Sequence, residues 1–193
     1  MNIDVIENCF PSYLKDDINI VFRALDFCSK HEPYMPFEVQ IDQEKLVIPQ
    51  RIYCDEHQLK KLIELTPIQQ TIGFCFFSRH HDGYVRERCI RQVFNVNEKF
   101  VIPFIVQLLG EYVIEIIESI YQAKDNIDKS HLQSFIEENP EHYYRIHQRV
   151  YSYWDCFYRH AYPKYRKHVK PSGDTVLDYP AIKFLKFINS NVA

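Results

Sequence analysis

Apolar residues recur at helical spacing through most of this chain, and each such segment is bounded by proline, glycine or asparagine. The clearest segment begins at Thr66-Pro67, because proline at a first helical position loses no hydrogen bond. Ile68, Ile72 and Cys75 then follow on one helical face. A chain built of such segments buries one stripe of each helix against its neighbours. We therefore expect a mostly helical fold.

The same period predicts helices in most of the remaining chain. They cover approximately residues 12–30, 55–65, 67–78, 84–94, 102–124, 131–138, 141–162 and 180–188. Gly110 interrupts one of these segments, which predicts either one kinked helix or two. After Pro33 and Pro36 the apolar residues alternate instead, so we expect a small β-hairpin within residues 36–53.

The length of 193 residues predicts a single domain, residues 1–193, with a core large enough to need no disulfides. Six cysteines stand far apart without a CxxC pair, and we expect free, mostly buried thiols. The first ten residues lack the basic and apolar regions of a secretory signal. The most apolar stretch, residues 100–120, is interrupted by glutamates. These features predict a cytoplasmic protein without a membrane span.

A short motif in the middle of the chain resembles a known repeat. Asp82-Gly83-Tyr84-Val85-Arg86 is similar to the inner turn of a HEAT repeat, which joins two antiparallel helices. The pattern Tyr-Val-x-Glu at Tyr84 to Glu87 returns 28 residues later at Tyr112 to Glu115. The resemblance implies a HEAT-like core of helical hairpins over residues 66–124. It also implies that Asp82 and Arg86 are structural residues that tie the turn together.

The chain as a whole resembles the helical immunity proteins of bacterial contact-dependent growth inhibition and related polymorphic toxin systems. The segments that carry this resemblance are His80 to Glu87 and Leu108 to Ile116. It implies a small, cytoplasmic, non-catalytic protein. Such a protein neutralises a cognate toxin, often a nuclease, by covering its active site or its substrate-binding face.

Few residues are arranged for catalysis. His80-His81 would be the first candidate for a metal or catalytic pair, but adjacent helical residues point about 100° apart and no acidic partner completes a motif. The four glycines never cluster, so a phosphate-binding loop is missing. We expect no metal, no cofactor and no enzymatic activity. A cysteine nucleophile that meets a histidine only in the folded chain stays possible on sequence grounds.

An acidic stripe is the candidate partner-binding surface. Glu111, Glu115 and Glu118 would lie on one face of a helix, and Glu137, Glu138 and Glu141 could extend that face. The stripe is either a solvated outer face or a mimic of phosphates that meets the basic cleft of a nuclease toxin.

The stretch 142–170 combines tyrosines with arginines and lysines, in a C-terminal part (residues 142–193) with three acids and nine basic residues. Rings and cations together are typical of RNA-binding surfaces, which makes RNA binding the alternative function. Protein contact is a third interpretation. Five residues at helical spacing predict instead a stripe that faces the core: Ile146, Val150, Tyr153, Trp154 and Phe157. We favour core packing over nucleic acid.

Overall fold

The structure is a computed structural model that describes residues 6–25, 35–169 and 175–191. The described α-helices are α1 (Lys15–Leu25), α2 (Pro67–Phe77), α3 (Gly83–Arg91), α4 (Ile102–Leu109), α5 (Ile114–Gln122), α6 (Lys129–Glu138), α7 (Pro140–Tyr153) and α8 (Pro180–Asn191). Short 3-10 helices span Ser12–Leu14, Glu56–Glu64, Lys99–Val101 and Pro163–Tyr165. The strands are β1 (Phe37–Ile41), β2 (Glu44–Ile48), β3 (His168–Val169) and β4 (Thr175–Val176). The prediction of a mostly helical protein with a small β-hairpin is therefore confirmed.

The helices pack as neighbouring pairs along the chain. Helix α2 packs on α3, and α4 packs on α5. The two pairs join through α3 and α5, while α1 covers α2 and α8 covers α5. Their apolar faces meet in one core, in which the ring of Phe10 stacks on that of Phe104 at 5.4 Å and Phe22 meets Phe76 edge-on at 4.8 Å.

The predicted β-hairpin is present as the antiparallel pair β1 and β2, with Phe37 opposite Ile48. Asp42 and Gln43 form its turn with φ angles of 50° and 69°. Two positive φ angles are the geometry of a two-residue hairpin turn that suits twisted strands. Strand β2 ends earlier than the prediction because the chain leaves the sheet, and the Ile52 N–H donates to the carbonyl of Arg79.

Helix boundaries differ from the sequence expectation near Gly110 and near Tyr153. Gly110 separates two helices rather than bending one, and α5 begins only at Ile114. Helix α7 ends at Tyr153 and continues as a π-helical turn, Trp154–Tyr158. The end of the predicted first helix, after Leu25, lies outside the described residues. None of the described helices is long and apolar enough to cross a membrane.

The π-helical turn explains one wrong core prediction. Ile146 and Val150 are buried as predicted, and Trp154 is half-buried, but 54% of Phe157 is exposed. A π-helical turn carries more residues than an α-helical turn, so it rotates the following side chains away from the α-helical stripe.

Four cysteines are buried, as predicted: Cys9, Cys54, Cys75 and Cys89. Burial raises the pKa of each, in Cys54 and Cys89 to about 12. Cys156 is exposed, and Cys28 lies outside the described residues.

Gly73 in α2 allows the close approach of Leu62, and this contact gives a first prediction. A Cβ atom at position 73 would lie 2.4 Å from Leu62 Cδ2 and 2.8 Å from Leu62 Cδ1. We expect Gly73→Ala to lower the free energy of unfolding by about 1–2 kcal/mol, because overpacking outweighs the better helix propensity of alanine. Urea denaturation measures this change. Gly83→Ala is the control, since its Cβ would lie 3.6 Å from Val113; equal stability of the two variants would contradict the clash.

Candidate functional site

Glu111 lies at the centre of a buried ionic group that we call the arginine cluster, composed of Arg51, Arg79, Arg86 and Glu111. Glu111 Oε2 is 2.7 Å from Arg51 Nη2 and 3.3 Å from Arg86 Nη2, and Oε1 is 3.8 Å from Arg79 Nη2. Arg79 is fully buried, and only 4% of Glu111 is exposed. The placement of Glu111 on a partner-binding surface is therefore wrong. After Gly110 the chain turns before α5 begins, so Glu111 points inward instead of joining the helical face.

Backbone carbonyls hold the arginines of this cluster in place. Arg79 donates from Nη2 to the carbonyl of Gln50 at 2.9 Å. Arg86 donates from Nη1 to the carbonyls of His80 and His81, at 2.9 and 2.8 Å. The cluster thus joins four segments: the stretch after β2, the end of α2, helix α3 and the turn between α4 and α5.

The two residues implied by the HEAT resemblance both lie at the turn between α2 and α3. The Asp82 carboxylate accepts the N–H of Tyr84 at 2.8 Å, which caps the start of α3. Arg86 binds the turn carbonyls and also reaches Glu111. Sequence reasoning missed that last contact, because the two residues are 25 positions apart.

The electrostatics of the arginine cluster are unbalanced toward positive charge. Burial alone would raise the pKa of the Glu111 carboxyl, but Arg51, Arg79 and Arg86 together hold it below its ordinary value. Burial lowers the pKa of Arg79 to about 9, although Glu111 opposes that shift. Three guanidinium groups share one carboxylate, so the cluster is a cationic structural element.

His80 is fixed in a neutral form at the same turn. Its Nδ1 accepts the N–H of Asp82 at 3.1 Å, so the proton resides on Nε2, which donates to the carbonyl of Cys54 at 3.0 Å. Burial lowers the pKa of His80, which favours this neutral ring. The ring of His81 stacks on Tyr53 at 5.2 Å. Within the described ranges, no group of histidine, cysteine, aspartate and glutamate residues could hold a metal ion.

The remaining residues of the predicted acidic stripe do not form one surface. Glu115 is exposed in the first turn of α5. Glu118 is half-buried and accepts from the Tyr165 hydroxyl at 2.5 Å and from Lys164 Nζ at 3.0 Å, and these bonds lower its pKa. Glu137, Glu138 and Glu141 lie at another place, the corner between α6 and α7. The single acidic face predicted from spacing is therefore divided.

Aromatic rings lie next to the arginine cluster, and we call Tyr112, Tyr153 and Phe157 the aromatic surface. Phe157 is exposed and Tyr153 is half-buried. Tyr112 is 58% exposed, and its ring centroid lies 6.4 Å from that of Tyr153 and 6.5 Å from that of Phe157. The Tyr158 hydroxyl donates to the Tyr112 carbonyl, which attaches this turn to the π-helical segment. Glu111 anchors the same turn from below. Sequence reasoning missed Tyr112 because it lies in the break after Gly110.

Much of the basic and aromatic stretch 142–170 is occupied by internal contacts. Tyr158 and Tyr165 are buried and pack on Tyr179, with ring centroids 5.1 and 5.6 Å from it. Trp154 Nε1 donates to the Tyr165 carbonyl at 2.7 Å. Other members of the stretch are exposed: Tyr144, Tyr162, Arg145 and Lys167.

Comparisons of the chain with protein-family models, with curated proteins and with solved structures find no significant match.

Proposed function

We propose that the protein is a non-catalytic immunity protein, which binds a cognate bacterial toxin and covers its active or substrate-binding face. The resemblance of the segments around Tyr84 and Tyr112 suggests this class of function. The aromatic surface is the observation that carries the proposal. Exposed tyrosine and phenylalanine rings on a fixed backbone contribute much of the binding energy of protein interfaces. Here both the Tyr158 hydrogen bond and the buried Glu111 fix the turn that presents Tyr112.

Several ionisable groups of the fold are unsuited to catalysis in their present surroundings. Both ring nitrogens of His80 are hydrogen-bonded, and the Glu111 carboxylate is neutralised by arginines. Burial keeps the thiols of Cys75 and Cys89 protonated by raising their pKa, whereas a cysteine nucleophile needs a lowered one. These contacts favour a binding function over a catalytic one.

One exposed carboxylate beside the aromatic surface, Glu115, would suit a basic partner such as a nuclease domain. Glu115 is exposed and lies three residues after Tyr112. Burial is the main cause that raises the pKa of Tyr158, and the charges of Tyr162 and Glu115 add to it, so Glu115 lies near the Tyr158 ring. A carboxylate at an interface rim speeds the encounter with a positively charged partner. Glu137, Glu138 and Glu141 would contact the toxin only if it also reached the α6–α7 corner.

The test is co-expression with the product of the open reading frame directly upstream of the gene. Rescue of growth and a stable complex are the expected results. Within that complex, we expect Tyr112→Ala to weaken binding at least about ten-fold, because a central ring is lost. We expect Glu115→Lys to slow association. Calorimetry and surface plasmon resonance measure the two effects.

The matched control is Tyr13→Ala, which removes another exposed tyrosine. Burial and the nearby charges of Glu98 and Asp42 raise the pKa of Tyr13, which places it near the β-hairpin turn. This variant should bind like the unmodified protein. Unchanged binding by Tyr112→Ala would show that the aromatic surface is not the interface. A harmless upstream product would show that this product is not the cognate toxin.

RNA binding by the stretch 142–170 is the second candidate function. The observation that favours it is the exposure of Tyr144 and Tyr162 together with Arg145 and Lys167. Affinity for single-stranded RNA that falls steeply with salt would support this alternative.

A further inference from the structure

A cavity of about 340 Å³ lies between β1, the stretch after β2, and helices α4 and α7. Its polar and aromatic lining includes Phe37, Gln50, Gln107, His142, Arg145 and Arg149. None of these residues belongs to the aromatic surface, although Arg149 lies over the Tyr153 ring, 5.8 Å from its centroid. The cavity therefore differs from the surface on which the proposed function rests.

His142, which lines the cavity, and Arg79, which lies behind the lining residue Phe37, each have one buried nitrogen without a hydrogen-bond partner among the described residues. His142 lines the cavity and is only 5% exposed, and its Nε2 has no partner among the described residues. Arg79 is fully buried, and within the same ranges its Nη1 also has none. Both contact the Phe37 ring, since the His142 ring stacks on it at 5.2 Å and Arg79 lies over it at 5.9 Å. Buried polar groups normally have partners, so the unpartnered Nε2 of His142 at the cavity wall suggests a missing ligand.

The charges around His142 are mainly positive. After burial, Arg145, Arg149 and Arg79 all lower its pKa, so three positive charges lie near this ring. Glu38 also lines the cavity, but its carboxylate pairs with Lys45 Nζ at 2.8 Å. Glu111, the carboxylate nearest to Arg79, is shared with Arg51 and Arg86. Arg145 and Arg149 thus place two cations on the cavity wall, while Glu138 and Glu141 line a neighbouring pocket that shares His142 and Arg145.

We infer that this cavity binds an oxyanion, the phosphate group of a small ligand, through Arg145, Arg149 and His142. Guanidinium groups match the oxygens of phosphate, and their charge-assisted hydrogen bonds are strong. Gln50 and Gln107 supply amide donors for the remaining oxygens. The volume lies at the lower end of the range for small-molecule sites, which suits a phosphate with a small organic part.

Isothermal titration calorimetry of the full chain with inorganic phosphate, with sulfate and with a pentose phosphate tests this inference. We expect saturable binding of all three anions. Tighter binding of the pentose phosphate would identify an organic phosphate as the ligand, whereas equal affinities would identify free phosphate. Absence of saturable binding for every probe would overturn the inference.

Substitutions assign the binding to this cavity. Arg145 is exposed at the cavity, so Arg145→Gln should fold and should weaken anion binding at least about ten-fold. The control Arg91→Gln changes the net charge equally, but Arg91 pairs with Glu87 on α3 and should leave the affinity unchanged. Equal weakening by both variants would reduce the effect to general electrostatics and overturn the site.

The pH dependence of sulfate binding gives an independent readout, because sulfate itself does not titrate near neutral pH. A bound anion favours the protonated ring of His142, so affinity should rise as the pH falls from about 7 to about 5. His142→Phe should abolish that rise. A rise that persists in this variant would exclude His142 from the site and contradict the inferred set of donors.

Discussion

Replacing Glu111 with glutamine is expected to lower the free energy of unfolding by about 3–5 kcal/mol, because it leaves buried cations without their counter-charge. Arg79 and Arg86 are almost completely buried, and Glu111 is the carboxylate that contacts both. Glutamine keeps the size of the side chain and removes only the negative charge. Urea denaturation at neutral pH measures the loss.

The control is Glu115→Gln, which removes the same charge from an exposed position and should change stability by less than about 0.5 kcal/mol. Adding Arg79→Met to Glu111→Gln should recover part of the loss, since one buried cation disappears with its partner. If Glu111→Gln were as stable as Glu115→Gln, the arginine cluster would contribute nothing to folding.

Lowering the pH from about 6.5 to about 4 is expected to cost about 3 kcal/mol of stability through His142 alone. Burial, followed by Arg145, Arg149 and Arg79, lowers the pKa of His142 to about 4 in the folded protein. In the unfolded chain the ring titrates near its ordinary value of about 6.5. Between these values the unfolded state binds a proton that the folded state does not. The contribution is therefore complete above about pH 6.5 and is lost as the pH falls toward 4.

Denaturation curves of the unmodified protein and of His142→Phe, in buffers without phosphate or sulfate, measure this effect. Phenylalanine retains a ring to pack on Phe37 but takes up no proton, so its stability should vary much less in this interval. His160→Gln, at an exposed position, should keep the pH dependence of the unmodified protein. Glu111 acts in a lower interval, because its contribution is present above about pH 4.3 and is lost as the pH falls through its lowered pKa. Parallel curves for the unmodified protein and His142→Phe would contradict the burial of a neutral His142.

Local chemistry made most helix starts and turns of this fold predictable. Asp55 caps the 3-10 helix Glu56–Glu64, and Pro67 begins α2. Both signals are local, because the hydrogen bonds involved are made within a few residues. A local change in the number of residues per helical turn was harder to predict. The π-helical turn at Trp154–Tyr158 rotates Phe157 outward, and a count based on 3.6 residues per turn assigns it to the core.

The candidate site was less predictable, because it depends on contacts between distant segments. The acidic stripe assumed a helix that continues past Gly110, whereas α5 begins three residues after Glu111. The partner Arg51 is 60 positions away from Glu111, so no local sequence pattern predicts this ion pair. Tyr112 stood in the repeated Tyr-Val-x-Glu pattern, but that pattern did not indicate that its ring is exposed beside the π-helical segment.

The shared carboxylate of the arginine cluster constrains the order in which its positions can change during evolution. A chain that first loses Arg79 or Arg86 still holds Glu111 between two cations, so the intermediate keeps a paired buried carboxylate. A chain that first loses Glu111 passes through a form with several uncompensated buried cations. The first order of substitution passes through a stable intermediate, whereas the second passes through a strongly destabilised one. Relatives without an acidic residue at position 111 should therefore also lack at least one of these arginines.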